Sequence, residues 1–311
     1  MRFLTKNWLS SLNYLLVSLG LVWIIYILYE NNDQLLIQLK DVHLPGLLAL
    51  LLLGSLYTLH SAFVFHLFLC HHTQLKLPFN STARLLFTGQ LIRHLPGRFW
   101  GVLFQVGETS DLISASKMIK VNIDLTAVTM LYATVAALVV ISYTYVKWLS
   151  IPIILPILAI TLLATRNKWM TALISHAIKI LPKRIKRQLP SDDAAIKLSW
   201  SEAIKLALYY FSSFIFYYLG WKCFSLAWPA YHALDLSLLG AIYLLAWLIG
   251  FLSIATPSGL GVREAAFVLL TPSTSHPMIA TIALLARTWF LLNDFIMFTI
   301  FRVLGNPLRA R

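Results

Sequence analysis

Long charge-free runs alternate with short polar segments along the whole chain, and that alternation predicts a bundle of membrane-crossing helices. Trp8–Tyr29 holds 22 residues without one Asp, Glu, Lys or Arg. It follows Arg2 and Lys6, but it is too long for the apolar core of a signal peptide and no small-residue cleavage site follows, so it predicts a retained first helix. Leu44–Leu69 is a second run, with Pro45 in the first turn, where a missing N–H costs nothing. Leu125–Val146 is a third. Leu149–Thr165 is a short fourth, interrupted by Pro152 and Pro156. Leu206–Trp228, carrying Lys222, is a fifth, and Leu236–Thr256 a sixth. Met278–Phe301 is the last and carries Arg287 and Asp294. About 20 apolar residues span a bilayer core, so the pattern predicts an all-α polytopic membrane protein of about seven spans.

Ser199-Trp-Ser-Glu202 has the spacing of a capping box opening the fifth helix. Asn167–Leu181 places Trp169, Met170, Leu173, Ile174, Ala177, Ile178 and Leu181 at helical spacing, and Pro182 and four bases follow. That pattern predicts an amphipathic helix lying on the cytoplasmic leaflet.

Composition agrees. Hydrophobic residues make up 59% and charged residues 12% of the 311, against roughly 25% charged in a soluble domain, and mean hydropathy is +0.76. This excludes a soluble globular class and intrinsic disorder, and it places any chemistry in or at the membrane. The net charge of +13 is read as loops held beside an anionic leaflet, with no nucleic-acid partner. Two cysteines, Cys70 and Cys223, make no disulfide framework.

Charge also sets orientation. The loop Glu30–His43 has three acids and one base and is expected outside; Arg166–Lys205 has nine bases and three acids and is expected in the cytoplasm. Arg302, Arg309 and Arg311 place the C-terminal tail there too, as Arg2 and Lys6 do the N-terminus. Two segments then cannot be simple crossings without reversing an assignment. Arg84–Gly107 is expected to dip in from the cytoplasm, and Gly240–Leu270 from outside, each as a re-entrant element of two half-helices. One from each side is the pattern of an inverted repeat with a site near the midplane. The single transmembrane domain 1–311 thus divides into a first half (1–165), a basic loop (166–205) and a second half (206–311).

Each re-entrant segment carries a motif. The first runs Gly89-Gln-Leu-Ile-Arg93-His94-Leu-Pro96-Gly97-Arg98-Phe-Trp-Gly101. Arginine in hydrocarbon costs at least about 2.5–3.5 kcal/mol, so Arg93 and Arg98 imply a polar cavity or a bound anion. Gly97 and Gly101, four apart, offer a flat face for close approach. A half-helix starting at Pro96 would aim its free N–H groups at that cavity, and guanidiniums grip phosphate oxygens in pairs. The second motif is Thr256-Pro257-Ser258-Gly259-Leu260-Gly261-Val262-Arg263-Glu264. Proline and glycine break the helix again, a half-helix is expected to start at Pro257 with an arginine close by, and Glu264 is placed to pair with a base elsewhere such as Arg287. The plain alternative for both motifs is a kinked helix with snorkelling arginines; two such elements from opposite faces favour a site. Arg287 and Asp294, two turns apart on one face, suit charge pairing between helices.

Other signals are weaker. His66 and Cys70 are one turn apart and, with His71 and His72, form a cluster read as interfacial, with no metal ligand set. His60 is read as a hydrogen-bonded core residue. Trp8, Tyr29, Trp148, Trp228 and Tyr231 fit interface belts. No Walker loop is present, no cofactor is implied, and Glu108, Glu264 and Asp294 are too scattered for an intramembrane enzyme.

At these motifs the chain resembles the lysylphosphatidylglycerol synthase transmembrane-region family, also called flippase-like or UPF0104 proteins. Thr256-Pro-Ser-Gly-Leu-Gly-Val-Arg-Glu-Ala265-Ala266 is similar to the family's Pro-Gly-Gly-x-Gly-x-Arg-Glu element, and Leu95-Pro-Gly-Arg-Phe-Trp-Gly101 to its first Pro-Gly-Arg element. Size and helix arrangement extend the resemblance over nearly the whole chain. One departure stands out: the family places an acid just after the first motif's glycine, whereas Val102 follows Gly101 here and the nearest acid is Glu108. The resemblance implies a lipid translocase in a bacterial or archaeal plasma membrane. With no soluble synthase domain in these residues, its cargo would be an aminoacyl or other anionic phospholipid, or a polyprenyl-phosphate-linked glycan, made by another protein. Arg93, Arg98 and Arg263 would hold the phosphate, and Glu108, Glu264, Arg287 and Asp294 would gate or neutralise the site. The competing expectation is a non-transporting accessory protein that scaffolds a separate synthase or glycosyltransferase of the cell envelope.

Overall fold

The computed structural model describes residues 42–93, 100–147, 161, 199–252, 259, 261–272 and 276–306. The first and fourth expected spans (but for Thr161, which is helical), the amphipathic segment, Pro96, Gly97, Arg98, Pro257 and Ser258 lie outside these residues.

Among the described residues eight α-helices follow one another, and every regular element is helical. They are α1 (Leu44–Thr73), α2 (Phe79–Ile92), α3 (Trp100–Glu108), α4 (Ala115–Val146), α5 (Trp200–Ala227), α6 (Leu236–Leu252), α7 (Val262–Leu270) and α8 (His276–Leu304). The order repeats: a long helix, two short ones around a break, then a long helix, twice over. Three of them, α1, α4 and α8, are long and apolar enough to cross a bilayer, and α6 is a shorter apolar helix. The chain is therefore an all-helical membrane protein. α5 was expected to be a span on the same footing, but its hydropathy is lowered by polar-tipped residues. Several of these, Tyr210, Ser213, Tyr217 and Trp221, are buried in the core rather than facing outward.

The starts of α4 and α5 lie further out than the charge-free runs. α4 begins at Ala115, ten residues before Leu125, because Ser114 caps it: the side chain accepts from Lys117 N–H. α5 begins at Trp200 behind a complete capping box, with Ser199 Oγ accepting from Glu202 N–H and Glu202 Oε2 accepting from Ser199 N–H at 2.8 Å.

α1 and α5 form the spine and run antiparallel. His43 N–H donates to Ala227 O at 3.0 Å at one end, and His71 Nδ1 meets Glu202 Oε1 at 3.2 Å at the other. α4 runs parallel to α5, since Thr129 Oγ1 lies 2.6 Å from Tyr210 Oη and Tyr218 Oη donates to Ala136 O at 3.1 Å. α8 runs parallel to α1: Trp289 Nε1 donates to Leu50 O at 3.0 Å and Ser55 Oγ to Asn293 Oδ1 at 3.0 Å. An aromatic core built on Tyr57, Tyr217, Trp221, Tyr243 and Phe290 fills the space between these helices.

The short helices form two hairpins. α2 starts beside the end of α8, where Arg84 Nη1 donates to Gly305 O at 3.2 Å and Phe79 packs on Phe301. α3 returns alongside it, so the hairpin enters from the end of the bundle that holds His71, Glu202 and Gly305. α6 starts at the opposite end, where Tyr217 Oη donates to Gly240 O at 2.9 Å near the close of α5. α7 returns along α6, with Phe267 beside Tyr243. The first hairpin begins at Phe79, five residues before the expected Arg84, and α6 at Leu236, four before Gly240.

Candidate functional site

The tip of the second hairpin is built on backbone contact. Gly259 sits at φ +69° with a hypothetical Cβ 2.8 Å from Gly250 O, so neither a left-handed backbone nor the space admits a side chain. Gly261, at φ +80°, is the N-cap of α7. The helix thus begins at Val262 rather than at the expected Pro257, because two positive-φ glycines interrupt the chain between them.

The first turn of α7 is occupied from within. Gly261 N–H donates to Glu264 Oε2 at 2.8 Å. The other oxygen, Oε1, accepts from Arg287 Nη1 at 2.6 Å and from Arg263 Nη2 and Nε at 3.2 and 3.3 Å. The Glu264 side chain is only 3% exposed. A buried carboxylate is tolerable only when paired and hydrogen-bonded, and here three donor groups surround it. Arg263 also lies over the Tyr243 ring, 5.2 Å from its centre, a cation–π contact. Two guanidiniums against one carboxylate leave the cluster with a net positive charge.

The first hairpin closes on a different contact. A Cβ on Gly101 would collide with the backbone carbonyl of Gly89, so α2 and α3 touch main chain to main chain. Gly101 therefore meets Gly89, a residue of the motif not expected to pack. Beside them Gln105, buried, accepts from Asn122 Nδ2 of α4 at 2.7 Å through Oε1. At the end of α2, Arg93 Nη2 lies 4.0 Å from Asp294 Oδ2, with the arginine side chain 48% exposed.

α8 connects the two. Arg287 lies eleven residues from its start and Asp294 ten from its end, so each stands ~15 Å from one end of the helix, on either side of its middle. They do not pair with each other: Arg287 serves the second hairpin and Asp294 the first. Glu108 is the last residue of α3, seven beyond Gly101, so the helix carries it ~10 Å away from the tip.

The histidine cluster resolves into separate contacts. His60 Nδ1 bonds Leu56 O at 2.7 Å, His66 Nδ1 bonds Thr82 Oγ1 at 2.9 Å, and Cys70 Sγ is 3.8 Å from the His66 ring nitrogens. No group of three or more His, Cys, Asp or Glu is placed to hold a metal among the described residues. Sequence reasoning missed one pair. His72 Nε2 stands 2.9 Å from Asp124 Oδ2, both side chains under one-tenth exposed. Asp124 directly precedes the charge-free run at Leu125, and only the early start of α4 brings it inside the helix; an acid next to a run of that length was the available signal.

Compared with known proteins, the chain matches no family model and no curated protein.

Proposed function

We propose that the protein is an integral membrane lipid translocase of the flippase-like type, moving an anionic or aminoacylated phospholipid, or a polyprenyl-phosphate-linked glycan, across the bilayer. One observation carries the reading: two broken-helix hairpins enter the bundle from opposite ends, and charged residues at their tips reach the middle of the same helix, α8, at Asp294 and Arg287. Charged groups at that depth are expensive, and paired hairpins of opposite entry are how transporters place a site at the midplane. In this reading both hairpins are re-entrant, the two halves form an inverted repeat within a seven-span domain, and both termini are cytoplasmic. The resemblance of the two motifs to the flippase-like family supports it.

The headgroup phosphate enters between the tips, where Arg93 and the positively charged Arg263–Glu264–Arg287 cluster attract it, with Arg98 assigned to the same role from its motif, while acyl or prenyl chains stay in the bilayer. Because Glu264 already occupies the Gly261 N–H and both guanidiniums, it acts as an internal anion that a phosphate would displace or share. No covalent step is required, and the protein acts without enzymatic chemistry.

The test is a vesicle assay scoring headgroup exposure on reconstituted protein, with anionic phospholipid and polyprenyl phosphate as separate cargoes. Arg93→Ala, Arg98→Ala and Arg263→Ala are each expected to slow exposure at least tenfold while the protein remains monodisperse. Unchanged rates in all three remove their assigned roles. Absence of transport by the native chain, together with recovery of a synthase or glycosyltransferase on pull-down, would establish the scaffold alternative instead.

A further inference from the structure

Tyr243 of α6 packs beside the Arg263–Glu264–Arg287 cluster, and its hydroxyl is left over by the internal bonding of the bundle. The residue is 3% exposed, and its Oη has no hydrogen-bond partner among the described residues. Three helices close around the ring, with Trp221 of α5 and Phe267 of α7 at 5.4 Å and Phe290 of α8 at 5.7 Å between ring centres. Other tyrosines of this core are satisfied. Tyr217 Oη donates to Gly240 O at 2.9 Å, Tyr218 Oη donates to Ala136 O at 3.1 Å, and Tyr210 Oη lies 2.6 Å from Thr129 Oγ1. A buried hydroxyl without a partner costs free energy that phenylalanine in its place would not. Phe267 and Phe290 alongside show that plain rings pack here, so packing does not account for the oxygen.

The neighbouring charges say what the hydroxyl is for. Arg263 lies over the Tyr243 ring, its guanidinium carbon 5.2 Å from the centre, and the charges of Arg263, Glu264 and Arg287 all reach the hydroxyl. Glu264 takes no bond from it: Oε2 accepts from Gly261 N–H, and Oε1 accepts from the two guanidiniums. Arg287 bonds that carboxylate through Nη1, and Arg263 bonds it through Nε and Nη2. A guanidinium carries N–H donors on all three nitrogens, so both arginines keep donors to spare beside the spare O–H. What this corner lacks is an acceptor, and its net positive charge selects an anionic one. The same charge repels an ammonium group.

We infer that Tyr243 is a further substrate-binding residue of the translocation site: its ring holds Arg263, and its hydroxyl donates to an oxygen of the phosphate that Arg263 and Arg287 attract. The inference rests on the reading of this cluster as a phosphate site and adds one donor to it. It also gives the headgroup an orientation. The phosphate enters the second hairpin, and the amino group of an aminoacylated lipid does not. Because the hydroxyl is enclosed, it bonds only a phosphate seated within the cluster, whereas the half-exposed Arg93 attracts one from outside.

Isothermal titration of the purified full-length protein in neutral detergent tests this, with dihexanoylphosphatidylglycerol and inorganic phosphate as separate probes. Tyr243→Phe keeps the ring and removes only the oxygen. It is expected to weaken binding by about tenfold, the worth of one hydrogen bond to a charged group, while the thermal midpoint without probe stays level or rises. Tyr217→Phe is the control. It deletes the bond to Gly240 O, so its midpoint falls, and the folded protein should bind within about twofold of the native chain, since no bond to the probe is lost. A loss with both probes assigns the Tyr243 hydroxyl to any phosphate group, and a loss with the lipid alone assigns it to the lipid headgroup; either supports the inference. Native affinity in Tyr243→Phe, a lowered midpoint in that variant, an equal loss in Tyr217→Phe, or no binding of either probe by the native chain overturns it. Lipid transport by the native chain with unchanged binding by Tyr243→Phe defeats this inference alone. A native chain that moves no lipid, yet loses phosphate binding in Tyr243→Phe, defeats the translocase reading alone.

Discussion

The two hairpins share one architecture and are fastened by opposite means. In the second, α6–α7, a single buried carboxylate gathers two guanidiniums and a helix N-terminus, and two glycines bring the backbone close enough for it to do so. In the first, α2–α3, the main-chain contact of Gly89 with Gly101 and the amide pair Gln105–Asn122 join the helices, and the Arg93–Asp294 contact is long, with the arginine partly exposed. A buried charge cluster resists dismantling because each member left alone is expensive; a glycine contact and a neutral amide bond can slide or re-form at modest cost. Equivalent positions in a repeated order of helices need not be equally rigid. In the translocase proposed above, the second hairpin would be the fixed partner and the first the one that moves.

The sharpest way to break this comparison is to remove the carboxylate. Glu264→Ala leaves Arg263 and Arg287 side by side without a counter-charge and frees the Gly261 N–H. A loss of about 3–5 kcal/mol is expected, the range for uncoupling a buried pair, seen as a collapse of thermal stability or of monodisperse yield in detergent. Glu264→Ala with Arg287→Met should recover part of it, since the second change removes one of the stranded charges. If the single variant is as stable as the native chain, the second hairpin is not held by charge and the contrast with the first disappears.

Packing gives the next largest effect. Gly101→Ala in the first hairpin drives a methyl group into the Gly89 carbonyl, and backbone cannot rotate away as a side chain does. Overpacking of this kind costs roughly 1–3 kcal/mol and should separate α2 from α3, raising amide exchange in α3. Gly107 is the control, six residues along the same helix with nothing within 4 Å of its Cβ position. There alanine should be neutral or stabilising by up to about 1 kcal/mol through helix propensity alone. Equal losses at both positions would mean that α3 is sensitive to any change, not that the glycine contact closes the hairpin.

How much of this was legible beforehand depends on sequence distance. The second site is nearly all local: Gly259, Gly261, Arg263 and Glu264 fall within six residues, so residue chemistry pointed to the tip, and the helix break followed from its glycines. Proline is the louder local signal and points to a start of α7 at Pro257, whereas the positive φ of Gly259 and Gly261 puts it at Val262. The fastenings of the first hairpin were not legible. Gly89 and Gly101 are twelve apart across a turn, Gln105 and Asn122 belong to different helices, and His72 and Asp124 are separated by 52 positions. Each of these residues has an ordinary local role, and only the packing of α1, α2, α3 and α4 turns them into partners. Long charge-free runs locate the helices but not the starts of α4 and α5, which the caps at Ser114 and Ser199 set rather than hydropathy.

The smallest expected effect falls at the tip of the first hairpin. Asp294 and Arg93 are 4.0 Å apart, with the arginine half in the open, a geometry in which exposed ion pairs contribute between zero and about 1 kcal/mol. A double-mutant cycle on Arg93→Ala and Asp294→Asn should therefore give a coupling of no more than about 1 kcal/mol. Asp294→Asn alone raises the local positive charge at the tip and should tighten the binding of phospholipid-like anions measured on purified protein. A coupling as large as the loss of about 3–5 kcal/mol expected for Glu264→Ala would show that Arg93 and Asp294 hold each other as firmly as the charges of the second hairpin, and that the two hairpins are fastened alike after all.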